Sequence, residues 1–190
     1  MPLHGKHQAS NAAAALVAVE AFFGEQELDY EAVLAGFANV QSPGRCEVLH
    51  RDPTIIIDAA HNPHGAKALT ETIQSEFTFD EVIGVFAAMG DKDIEGALVE
   101  LEKVMDSIVV TKNSSSRSAS VADLEVLASK IFGSDRVFSA DSLEAAIEKA
   151  IKDSIRPLSE ETIGILITGS VVTAGEARSI VRKRFAKVES

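Results

Sequence analysis

Apolar residues along this chain switch between two periods. Short β-favouring runs at Ile55–Asp58, Val82–Phe86, Ser107–Thr111, Arg136–Phe138 and Thr162–Thr168 read as strands. Each is followed by a stretch at helical spacing, at about Pro63–Phe77, Ile94–Val104, Val121–Ile131, Leu143–Lys152 and Val171–Phe185. Strand then helix, five times over, predicts an α/β fold: a doubly wound, mostly parallel sheet with helices on both faces. Glu47–Arg51 is expected to pair with Thr54–Ile57 across the turn at Asp52-Pro53, adding one antiparallel edge element.

The first forty residues break the pattern. His7-Gln8-Ala9-Ser10-Asn11 opens an alanine-rich helix expected to run to Phe23, with Gly24 as its stop, and a second helix is expected from Tyr30 to Phe37. Two helices alone leave an apolar face unburied. They either dock on the α/β unit or end a preceding domain whose strands are missing; the second is preferred, because Met1 followed at once by Pro2-Leu3-His4-Gly5 fits a truncated start. Residues 1–40 then form one body and 41–190 another, joined near Ser42-Pro43-Gly44, the obvious hinge.

Composition narrows the function classes. With 46% hydrophobic residues in 190, the chain can bury a good core. A net charge of −11 argues against a nucleic-acid surface, which needs clustered cations. The basic tail Arg178, Arg182, Lys183, Arg184, Lys187 has the spacing of a solvated helix face. One cysteine, Cys46, excludes an intrachain disulfide and a thiolate zinc site, so a cytoplasmic setting is expected and Cys46 reads as packing. No run approaches the ~20 apolar residues of a membrane span.

The candidate chemistry sits at strand ends. Thr54-Ile55-Ile56-Ile57-Asp58-Ala59-Ala60-His61-Asn62-Pro63 ends a strand on a carboxylate, an imidazole and an amide, at the edge where open α/β sheets bind ligands. Asp58 could hold ribose hydroxyls or cap the helix at Pro63; His61 could move a proton, make a structural hydrogen bond or pair with Asp58 on a metal, but two ligands do not make a metal site. Arg45 suits phosphate or a surface ion pair, and Asn11 an adenine edge or an ordinary helix position. Lys92 suits a carboxylate but is flanked by Asp91 and Asp93, and Ser170 suits an anion or a helix cap. Asn113–Ser118 reads as a flexible loop, or as one that carries Arg117 to the same ligand edge.

Five motifs, in order, carry a resemblance. His7-Gln8-x-x-Asn11-Ala12, Pro43-Gly44-Arg45-x-Glu47, Asp58-Ala59-Ala60-His61-Asn62-Pro63, Gly90-Asp91-Lys92-Asp93 and Thr168-Gly169-Ser170 resemble the series in the folylpolyglutamate and dihydrofolate synthases of the Mur ligase superfamily. The resemblance covers nearly the whole chain. It implies a Rossmann-like C-terminal glutamate-ligase domain over 41–190, preceded by the last two helices of a central ATP-binding domain. The implied reaction joins L-glutamate to folate, or dihydropteroate, after ATP has converted the acceptor carboxylate to an acyl phosphate.

The same resemblance implies Asn11, Arg45 and Asp58 as nucleotide contacts and Lys92 and Ser170 as glutamate contacts; His61, three residues beyond Asp58, is the catalytic candidate on the chemistry of its imidazole. ATP and magnesium are expected mainly on the missing central domain, because no glycine-rich phosphate loop of the kind Gly-x-x-Gly-Lys-Ser occurs here. The chain is therefore expected to be inactive alone, with that domain as its partner. Other readings stand beside this one: another Mur-type amino-acid ligase, a free-standing nucleotide- or phosphate-binding module, or a receiver-like domain with Asp58 as nucleophile.

Overall fold

The computed structural model describes residues 1–24, 27–156 and 161–186. Two helices, α1 (Lys6–Phe23) and α2 (Tyr30–Ala38), precede a hairpin of β1 (Glu47–Arg51) and β2 (Thr54–Ile57). Then come α3 (Pro63–Glu76), β3 (Glu81–Phe86), α4 (Ile94–Leu101), β4 (Ser107–Val110), α5 (Val121–Phe132), β5 (Val137–Ser139), α6 (Leu143–Ser154), β6 (Ile163–Thr168) and α7 (Val171–Ala186). The strands form one sheet in the order β1-β2-β6-β3-β4-β5, parallel except for the β1/β2 pair. The doubly wound sheet and its antiparallel edge are as the hydrophobic pattern predicts.

Alternation along each strand builds two cores. Ile56, Val82, Phe86, Ile108, Val110 and Leu166 face the layer of α3, α4 and α5, packing on Leu69, Leu98 and Leu124. Ile55, Ile57, Ile83, Val85, Val109, Ile165 and Ile167 face α6 and α7, against Ile147, Ala174 and Val181. Strands apolar on both faces read as unbroken runs, and each fully buried isoleucine contributes roughly 1.5–3 kcal/mol. Right-handed crossovers put α3, α4 and α5 on one face while the chain advances to β5, and α6 on the other when it returns to β6. The helices leaving β2 and β6 therefore go to opposite faces, which opens a crevice at the carboxyl ends of these neighbours.

Local chemistry sets the helix starts. Asn62, Asp93, Ser120 and Ser142 each accept a backbone N–H from the first turn of α3, α4, α5 and α6, and Pro63 opens α3. The helix expected to reach Val104 stops at Leu101, where the chain tightens: the N–H groups of Lys103 and Val104 donate to the carbonyls of Glu100 and Leu101, three residues back. Just beyond, Arg136 holds the carbonyls of Met105 (2.7 Å) and Asp106 (2.7 Å) and the Glu102 carboxylate (2.9 Å), and it lies in a 3-10 turn before β5 instead of inside the strand.

The start of α1 is tied to the end of α3: the Gly5 N–H donates to Glu76 Oε1 at 2.6 Å and His4 pairs with Glu76 Oε2 at 2.7 Å. Farther along, Val17, Phe22 and Phe23 of α1 and Tyr30 and Leu34 of α2 are exposed, and no residue of α2 is buried. These apolar side chains are not docked on the sheet. Arg178, Arg182, Lys183 and Arg184 lie on α7, and Lys187 lies outside the described residues. No described helix is long and apolar enough to cross a membrane.

Candidate functional site

A cleft of about 370 Å³ opens at the carboxyl end of β2, between the start of α3 and the first turns of α1, with Val171 of α7 on its rim. Asn11, Arg45, Asp58 and His61, which span fifty positions of sequence, all line it. So do His7, Gln8, Cys46 and Asn62.

Asp58 anchors the floor. Its Oδ2 accepts the Cys46 N–H at 2.8 Å and its Oδ1 the Ala60 N–H at 2.7 Å. Burial raises its pKa above the ordinary 3.8, against the opposing pull of those two N–H groups and of His7 and Arg45. Asp58 does not cap α3; Asn62 does, accepting the Gly65 N–H at 2.8 Å. A carboxylate with both oxygens engaged by backbone donors is a positioned acceptor and a poor nucleophile, which disfavours the receiver-like reading.

Gln8 stands in the first motif without an assigned role, and it is the buried residue of α1, 4% exposed. Its Oε1 accepts from Asn11 Nδ2 at 3.1 Å and its Nε2 lies 3.0 Å from His7 Nε2. Engaging the Asn11 amide nitrogen turns the carbonyl half of that side chain free for a ligand. Its spacing of three from Asn11 on one helix face is the signal that could have given it this supporting role.

His61 is exposed at the mouth. Its Nδ1 lies 3.1 Å from the Ala59 carbonyl, which fixes that nitrogen as the N–H donor, and Asn62 Nδ2 lies 3.5 Å from Nε2. Nε2 is thereby left as the lone-pair nitrogen that can take a proton. Arg45, also exposed, closes a turn that begins at Ser42, its N–H donating to the Ser42 carbonyl at 3.1 Å, and in which Gly44 adopts φ 76°; the Gly44 carbonyl accepts the Ala59 N–H at 2.8 Å. That bond sets Arg45 beside the end of β2.

Lys92 and Ser170 do not line this cleft. Lys92 is exposed on the loop after β3, with Nζ 3.8 Å from Asp91. Ser170 is 2% exposed and caps α7: its Oγ accepts the Thr173 N–H at 3.0 Å and Asn113 Nδ2 at 3.2 Å, while Thr173 Oγ1 donates to the Ala87 carbonyl at 2.6 Å. Direct contact of a ligand with the Ser170 hydroxyl would displace these internal partners.

The serine-rich loop is tied down by specific bonds. Asn113 is buried, its Oδ1 accepts the Ser115 N–H, Ser114 hydrogen-bonds Glu176, and Arg117 pairs with Asp91 at 2.5 Å. With Gly90 N–H donating to the Arg117 carbonyl at 2.8 Å, the loops after β3 and β4 are zipped together and present Lys92 and Arg117 side by side in sequence-distant segments. Among the described residues, no three His, Cys, Asp or Glu side chains converge on a metal position.

Residues 44–171 match the family described as Mur ligase, glutamate ligase domain. The chain is 49% identical over 191 residues to the dihydrofolate synthase/folylpolyglutamate synthase of Mycobacterium tuberculosis, covering 95% of this chain and 39% of that protein. A crystal structure of Mycobacterium tuberculosis folylpolyglutamate synthase complexed with ADP and AMPPCP superposes with a TM-score of 0.90 at 51% identity, over 95% of this chain and 41% of that one. Escherichia coli FolC in complex with DHPP and ADP gives 0.81 at 28% identity, over 97% and 41%. The chain thus spans about two fifths of the length of these relatives. On the match of residues 44–171, which takes in the whole sheet and its ligand edge, the chain belongs to the Mur ligase family and carries its glutamate ligase domain.

Proposed function

We propose that this chain is the glutamate-ligase part of an ATP-dependent enzyme that adds L-glutamate to folate or dihydropteroate. The observation that carries the reading is the convergence of Asn11, Arg45, Asp58 and His61 on one cleft at the sheet's switch point. The family and the ADP-bound structures of its relatives support a nucleotide there.

In this reading the free carbonyl of Asn11 takes an adenine donor, Asp58 accepts from ribose hydroxyls and Arg45 faces phosphate. ATP supplies the phosphoryl group that activates the acceptor carboxylate as an acyl phosphate. The amine of glutamate attacks that carbonyl, a C–N bond forms, the C–O bond to phosphate breaks and inorganic phosphate leaves. The nitrogen must shed a proton, and His61 Nε2 is the group at the cleft mouth able to accept it. Lys92 offers a cation for a glutamate carboxylate, and the buried Ser170 holds the start of α7 against the adjoining strand ends.

Residues 1–40 belong, in this proposal, to an ATP-binding body that carries the phosphate loop and the divalent metal, and 41–190 to the ligase body. The exposed apolar residues of α1 and α2 support that division. The segment around Ser42–Gly44 is then the hinge on which the bodies close, and the chain alone does not turn over. The nucleotide assignment is tested by equilibrium ADP binding: Asp58→Ala and Arg45→Gln should each weaken it about tenfold or more, whereas unchanged affinity in both would place the nucleotide elsewhere.

A further inference from the structure

A second cleft, of about 470 Å³, lies between the segment joining α2 to β1, the edge strand β1 and the outer face of α7. Its walls carry four arginines, Arg45, Arg51, Arg178 and Arg182, against a single carboxylate, Glu47. Arg178 and Arg182 stand four residues apart on α7 and so share one helix face.

Glu47 is already saturated. It accepts the Gly44 N–H at 2.9 Å, Arg178 Nε at 2.9 and 3.1 Å, and Arg182 at 3.3 Å. Neither Arg45 nor Arg51 forms an ion pair with a described residue. Within this lining one carboxylate stands against four guanidinium groups, with Asp58 acting on Arg45 from the adjoining cleft, in a chain whose net charge is −11. Like charges held together with too few counterions repel, and the arrangement is relieved by an anion that bridges them. Guanidinium forks pair in parallel hydrogen bonds with carboxylate or phosphate oxygens, so several forks around one hollow suit a ligand with several such groups.

We propose that this cleft binds a small polyanion, a molecule with two or more adjacent carboxylate or phosphate groups, at a site separate from the nucleotide cleft. Arg45 and Cys46 form the wall shared by the two clefts. The ligand would touch the α2–β1 segment and α7 at once, joining the turn before β1 to the last helix. The inference stands on the charge count and the cleft, and does not depend on the ligase reading.

Calorimetric titration of the whole chain with inorganic tripolyphosphate and, separately, with tri-γ-glutamate tests it. The comparison is the double variant Arg51→Gln/Arg182→Gln, whose two side chains are exposed and lie outside the nucleotide cleft. Saturable 1:1 binding of at least one probe, weakened roughly tenfold or more in the variant while ADP affinity and the circular dichroism spectrum stay unchanged, is the expected result. The probe that binds distinguishes phosphate from carboxylate as the source. No binding of either probe, equal binding by variant and wild type, or full displacement of the probe by ADP would overturn the proposal.

Discussion

The backbone N–H of Cys46 donates to Asp58 Oδ2 at 2.8 Å, fastening the turn that enters β1 to the carboxyl end of β2. Cys46 holds a left-handed φ of 43° to make this bond, and the neighbouring Gly44 carbonyl adds a second tie to Ala59. Arg45 is thereby presented to the cleft at the end of β2 by the carboxylate that shares that cleft with it. Substituting Asp58 with alanine strands the N–H groups of Cys46 and Ala60. The expected cost is about 1–3 kcal/mol of stability, measured by urea unfolding, together with loss of ADP binding.

The pH dependence of that carboxylate has a definite sign. Burial raises the Asp58 pKa above 3.8, so the folded state holds its proton more tightly than the unfolded chain does. Its contribution to stability is greatest at low pH and declines as pH rises from 3.8 through the raised folded value. Relative to Asp58→Asn, wild type should lose stability across that window and run parallel above it; a flat difference from below pH 3.8 upward would contradict the raised pKa.

Glu76 behaves oppositely. Burial raises its pKa, but the hydrogen bonds from His4 and the Gly5 N–H outweigh that and leave it below 4.5. The stabilisation is complete above 4.5 and is lost as pH falls through the lowered folded value. The Gly5 amide resonance should move with this titration and should stay fixed in Glu76→Gln; titration of that amide in the variant would assign the effect to another group.

Cys46 should be chemically quiet. It is 3% exposed, and burial, with Asp58 and Glu76 adding to it, pushes the thiol up to about 12. At pH 8 roughly one molecule in ten thousand carries the thiolate. Ellman's reagent is expected to label the native chain slowly and the urea-unfolded chain rapidly, whereas equal rates would show that the turn before β1 opens freely.

Gly169 tests the approach of β6 to β3. It adopts φ 116°, and a Cβ there would stand 2.6 Å from the Ala87 carbonyl oxygen. Gly169→Ala should cost about 1–3 kcal/mol for the backbone strain, before the steric clash is counted. Gly175→Ala on α7 meets nothing within 4 Å and should stabilise by about 0.5–1 kcal/mol. Denaturant midpoints of the two variants should move in opposite directions.

How far the sequence reaches depends on whether a feature is local. Strand runs such as Thr54–Ile57, the hairpin at Asp52-Pro53 and the starts of α3 to α6 follow from period, turn chemistry and caps within a few neighbours, and all were legible. The early end of α4 was not, because Arg136, which holds the segment just beyond it, lies thirty or more residues along the chain. Nor was the loop order at Asn113–Ser118, which depends on Ser170, Thr173 and Glu176 some sixty residues on. The cleft residues Asn11, Arg45, Asp58 and His61 were each named from sequence, but their convergence, and the role of Gln8 behind Asn11, needed the fold.

The ligase assignment is tested most directly by folate-dependent ADP release. This chain would be mixed with the portion of the Mycobacterium tuberculosis dihydrofolate synthase/folylpolyglutamate synthase that lies outside its match to the chain, together with ATP, magnesium, L-glutamate and a reduced folate. Turnover that needs both polypeptides and glutamate, is absent from either one alone, and falls in His61→Ala is the predicted result. A complex shown to assemble and to bind ADP, yet releasing none in response to folate and glutamate, would contradict the assignment.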